Sequence, residues 1–171
     1  MSRGSANYSE LRRFKRQFDR EFGNQRKIDE WIKQVTKHLT ARFLTAVMED
    51  TPVYDGVYSD GRLGGSLRRG WVDLEENTSL QISDAEIENY ALAFVANINV
   101  VKSGNHYEVI INNNVEYASY VNYGHRVVRG GQVVGSAPGH FFKERSEEAV
   151  DRVAERIVGN LLLEKLQSAM R

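Results

Sequence analysis

The chain has 171 residues, 41% of them hydrophobic and 27% charged, with Lys+Arg and Asp+Glu both at 23. That length and balance suit one globular domain with a real core, and they leave no global basic excess of the kind that drives sequence-independent nucleic-acid binding. The absence of cysteine excludes disulfide staples, thiol catalysis and cysteine zinc sites.

Charge is unevenly spread. The first helix-like segment is basic (Arg12, Arg13, Lys15, Arg16, Arg20, Arg26, Lys27), as is the region of Arg62, Arg68 and Arg69, while Asp73, Glu75, Glu76, Asp84, Glu86 and Glu88 make the middle acidic. Separated signs suit head-to-tail contacts between copies as well as they suit a solvated surface. The first residues have no apolar stretch of signal-peptide type. The longest apolar-leaning run, 90–101, is too short to span a bilayer and is broken by Asn97 and Asn99. Synthesis in the cytoplasm and no membrane partner are the expectations, and the sequon at Asn77 is read as chance.

In chain order, Leu11, Phe14, Phe18 and Phe22 recur at helical spacing on a basic background, as a separate helix or an arm over 1–24. Gly23-Asn24 breaks the pattern. It resumes as Ile28, Trp31, Ile32, Val35, Leu39, Phe43 and Val47, which predicts a helix over 28–49 that stops at Thr51-Pro52 because proline disfavours helical geometry in the residue before it. Four glycines between 52 and 65 read as a long exposed loop. Strands are predicted over 66–75, 91–101 and 107–112, the last two joined by a turn at 102–105, giving an antiparallel sheet of about three strands. Residues 116–123 form a short helical turn. Val127-Val128 and Val133-Val134 flank Gly130-Gly131, a hairpin with the glycines at its tip. Pro138 is placed in the first turn of a last helix striped by Phe142, Val150, Val153, Ile157, Leu161 and Leu166. The predicted class is α+β, with 25–171 as one domain in which long helices cover a small sheet.

No motif carries catalytic or metal chemistry, so no catalytic residue, metal or cofactor is assigned. His38, His106, His125 and His140 fall in different elements, and His38, on a helix, has no ligand partner at i+4. Glu75/Glu76 and Glu147/Glu148 are adjacent in sequence and would point apart. The segments GRLGGS and GGQVVGS lack the Gly-Lys-Ser/Thr ending of a phosphate loop. Tyr117, Tyr120 and Tyr123, near Arg126 and Arg129, suit base stacking, a protein interface or core packing; for Tyr117 and Tyr120 core packing carries most weight.

These segments, in this order, resemble the tail-completion (head–tail joining, or neck) family of long-tailed bacteriophages. The matching residues are Thr51, Pro52, Val53, Gly61, Leu63 and Ser66, then Glu116, Tyr117, Ala118, Tyr120, Val121 and Gly124, then Pro138 and Phe141, covering the chain from about Ile28 to its end. Asn122, or Tyr123 if the register slips by one, stands where that family usually has an acid. The resemblance implies a virion protein, not an enzyme, that forms a ring of typically six copies between the head–connector complex and the tail-tube or terminator proteins. Tyr54, Tyr58, Arg62, Leu63, Arg126, Val127, Arg129 and Val133 are the expected subunit or neck contacts. Arg62, Arg68 and Arg69 are the candidates to face DNA passing through the lumen. The alternative is a nucleic-acid-binding module using the basic N-terminal segment and the Tyr/Arg loop.

Overall fold

The structure, a computed structural model, describes residues 9–53, 64–74 and 81–170. Helix α2 (Gln25–Asp50) is its axis. The Asn24 side chain caps it, accepting the Arg26 backbone N–H at 2.9 Å and so satisfying one of the donors a helix start leaves open. Thr51, extended ahead of Pro52, ends it where the sequence predicts. Helix α1 (Ser9–Phe22) is a separate helix packed on α2 and on α6 (Phe142–Met170), and its Phe18 and Phe22 rings meet at 5.0 Å. Helices α2 and α6 run antiparallel. Arg145 reaches Asp50 at 3.2 Å at one end, and Trp31 shares a cleft with Ser168 at the other.

Two predicted strands are helical. Residues 66–72 form α3 (Ser66–Arg69) and one 3-10 turn (Gly70–Val72), because the apolar spacing from Leu67 to Trp71 is four and turns both side chains into the core. Residues 91–101 mostly belong to α4 (Ile87–Asn97), whose buried Ile87, Ala91 and Val95 are also four apart. Lys37 of α2 donates to the Ala96 carbonyl at 2.8 Å, placing a cation on the open carbonyls at the end of α4.

The α+β class holds, with four short strands in two separate hairpins among the described residues. Strands β1 (Val101–Ser103) and β2 (His106–Glu108) pair antiparallel, with Lys102 opposite Tyr107. Both of these side chains are tied to Asp29 of α2: Tyr107 O–H donates to it at 2.6 Å and Lys102 Nζ at 2.9 Å. Helix α5 (Ala118–Tyr123) precedes the second hairpin, β3 (Gly124–Arg129) and β4 (Gln132–Pro138). Pro138 is the last residue of β4, opposite Gly124, and α6 begins four residues later than the sequence suggests.

The core gathers Leu44, Val47 and Met48 from α2, Trp71 and Val72, Ile87 and Ala91 from α4, Val115, and Phe142. Trp71 is its centre. Phe43 and Phe142 pack edge-on against it at 6.2 and 6.1 Å, and its indole N–H donates to Thr51 Oγ at 3.0 Å, so the one polar atom of a buried ring is satisfied. Over this layer passes the chain at 113–115, so close to Gly70 that a Cβ there would lie 2.3 Å from Asn113 Oδ1 and 2.8 Å from Val115 Cγ2. Only glycine fits.

Candidate contact surface

The second hairpin is held at its base and free at its tip. Gly130 and Gly131 both have positive φ, the conformation that a two-residue turn matching strand twist requires and that glycine adopts without cost. At the base, the Val121 and Asn122 carbonyls accept the backbone N–H groups of His140 and Phe141 at 3.1 and 2.9 Å. Asn122 is buried, and its Oδ1 accepts the Lys143 N–H at 3.2 Å while its Nδ2 donates to Glu144 at 2.8 Å. One side chain therefore caps α6 and locks α5 to it. An aspartate at this position could accept the N–H but would face Glu144 as a like charge; the amide does both jobs.

Gly124 and Gly139 let the strands leave this base. A Cβ on Gly124 would sit 2.4 Å from the Ala137 carbonyl oxygen, and one on Gly139 2.5 Å from that of Asn122. Beyond the base, Arg126, Arg129 and Val133 are exposed, as the sequence reading requires of contact residues, whereas Val127 is half-buried. Val128, paired with Val133, and Val134 are equally exposed and were not among the expected contacts, although the two valine doublets were the available signal. A register irregularity between Val127 and Val128 places Val134 in a bulge.

The tyrosines separate. Tyr117 packs on the core, while Tyr120 is 59% exposed with its edge against His125, and Tyr123 is exposed against Phe141. Tyr54, Tyr58, Arg62 and Leu63 lie outside the described residues.

Arg68 and Arg69 correct the reading that they face DNA: both are buried, Arg69 to 1% exposure. Arg68 donates through Nε to the Met48 carbonyl at 3.0 Å and through Nη1 to the Ile82 carbonyl at 3.0 Å and Asp84 at 2.8 Å. Arg69 Nη1 donates to the Gly64 carbonyl at 3.0 Å. The multiple donors of a guanidinium close the end of α2 and the turn before α4, a structural task a basic cluster in sequence does not announce.

The basic residues Arg13, Lys15, Arg16 and Arg20 of α1 are exposed. Among the described residues no group of three or more His, Asp or Glu side chains is placed to hold a metal ion, and no helix is long and apolar enough to cross a membrane.

Fold and surface together define a class: a small α+β protein whose helical frame presents a projecting hairpin. The chain belongs to the HK97 gp10-like family, whose model, described as "Bacteriophage HK97-gp10, putative tail-component", matches residues 12–124. It is thus a member of a family of phage tail components. The match begins inside the basic helix α1, which the sequence resemblance left out, and stops at Gly124, the first residue of the hairpin, so that α6 lies beyond it. No curated protein and no solved structure matches the chain significantly.

Proposed function

We propose that the chain is a structural virion protein of a tailed bacteriophage, a neck or tail-completion component that joins the tail to the head–connector complex as a ring, typically of six copies. The observation that carries this reading is the conjunction of the family match with a hairpin whose tip exposes Val128, Val133 and Val134 on a base fixed by buried Asn122. Exposed β-branched side chains on a rigid, two-stranded projection are poorly suited to solvent and well suited to a partner. The separated charges suit heterologous contacts, which form a ring where the rotation between copies closes. Deleting residues 129–133 in the phage should leave a folded protein and yield separate heads and tails by electron microscopy. Normally joined particles would show that the hairpin is not the joining element.

The exposed cations of α1 favour one second reading, a nucleic-acid-binding module. Retention of DNA by the purified chain at low salt, lost steeply as salt rises, would support it; no retention at low salt would remove it.

A further inference from the structure

The chain continues from β2 as an extended segment with no strand partner among the described residues. From 109 to 115 burial alternates: Val109, Ile111 and Asn113 are half-buried, Ile110, Asn112 and Asn114 exposed, and Val115 buried. That period of two is a strand's. Yet among the described residues no backbone–backbone hydrogen bond reaches 109–113, and the first such bond is from Asn114 N–H to the Gly70 carbonyl at 3.3 Å. The segment is nevertheless fixed at both ends, by Tyr107 on Asp29 and by Asn113 Nδ2 on the Leu67 carbonyl at 2.8 Å. Beside it lies a groove of about 320 Å³, lined by Val109 and Ile111, by Leu39 and Phe43 of α2, and by Lys143 and Glu147 of α6. Ile110, the large apolar side chain between its two walls' residues in sequence, is 78% exposed. A strand-forming sequence, extended beside a partly apolar groove and with no ladder among the described residues, is a template for an added strand.

We infer that residues 109–113 take a strand from a second copy of this chain, and that the strand is β4 of that copy's projecting hairpin. Among the described residues the sheet of β3 and β4 has two strands, so the outer edge of β4 has no partner strand there. Neither β4 (QVVGSAP) nor residues 109–113 (VIINN) contains a charge, whereas β3 carries Arg126 and Arg129. Edge strands in soluble proteins are commonly guarded by charge, proline or a bulge; β4 has the bulge at Val134 and Pro138 at its end but no charge, and its proposed acceptor has none of the three. Pairing β3 with its own copy would instead set arginines against arginines. The seven residues of β4 are enough to cover the five of the open segment, and Val133 and Val134 supply β-branched side chains for Ile110 and the groove.

Donor and acceptor are different surfaces of one molecule, so the contact is heterologous and passes from copy to copy. The inference therefore rests on the ring reading and gives its contact a chemistry.

The absence of cysteine makes the test direct. Full-length chains carrying Ile110→Cys are mixed with chains carrying Val133→Cys or Val134→Cys and oxidised, with native mass of the unmodified protein measured at the same concentration. The expected result is a disulfide-linked heterodimer in at least one mixture, and a ladder of covalent multimers from the matching double variant. Oligomers of the unmodified chain without any 110-to-133 or 110-to-134 cross-link would overturn the inference and leave the ring standing. A disulfide closed within one chain, or a hairpin variant that links only to itself, would also overturn it. A chain that stays monomeric and forms no cross-link would overturn both this contact and self-assembly into a ring.

Discussion

Asn122 shows how much one side chain decides. It is buried between two helices with its acceptor and donor both used, so Asn122→Ala leaves the Lys143 N–H and Glu144 without those partners. Loss of a cap and of a buried hydrogen-bonded group predicts destabilisation of about 1–3 kcal/mol in denaturant unfolding, with Asn122→Asp recovering only the cap. Gly70→Ala acts through space alone. Its Cβ would collide with Asn113 and Val115, and overpacking of this kind costs about 1–3 kcal/mol by the same measurement. Asp29 makes a prediction in pH. Hydrogen bonds from Tyr107, Lys102 and Gln25 hold its carboxyl well below the usual carboxylate range. A depressed folded-state value means the stabilisation is present above the unfolded value near 4 and is lost as pH falls through the folded value. The stability difference between the parent and Asp29→Asn should therefore be full at neutral pH and shrink below about pH 4; a difference constant from pH 7 to 3 would contradict it.

At the scale of elements, the long helices and the glycine-tipped hairpin were legible because period and turn chemistry act locally: the α2 stripe, Thr51-Pro52 and Gly130-Gly131 need no tertiary context. Residues 66–75 and 91–101 were misread for the opposite reason. Aromatic and β-branched side chains such as Trp71, Phe94 and Val95 favour strands on average, and the four-residue spacing of Leu67 with Trp71 and of Ile87, Ala91 and Val95 outweighed that preference once a core was available. Arg68 and Arg69 were misread because a guanidinium turned inward to carbonyls has the same letter as one turned to solvent. Of the candidate contact surface, the glycine-tipped hairpin could be seen from the sequence, while the exposure of Ile110, in a segment with no ladder among the described residues, could not. The core centred on Trp71 predicts its own test. Trp71→Ala removes a ring wedged between Phe43 and Phe142 together with the hydrogen bond to Thr51, and should cost about 3–5 kcal/mol in unfolding free energy.

For the whole molecule, helices α1, α2 and α6 form a frame, and the two hairpins are pinned to it at different places, one through Asp29 and the other through Asn122. The family match ends where the projecting hairpin begins, at Gly124. Of the frame, α2 and most of α1 lie within the matched residues, whereas α6 and the hairpin beyond Gly124 lie outside them. A neck role makes one demand that neither fold stability nor oligomer mass addresses, which is where the protein sits. The most direct measurement is to locate a tag fused after the end of α6 in purified particles by gold labelling, alongside mass spectrometry of separated heads and tails. The account predicts label at the head–tail junction and at one end of isolated tails. Purified particles without the protein, or label along the tail shaft, would contradict it.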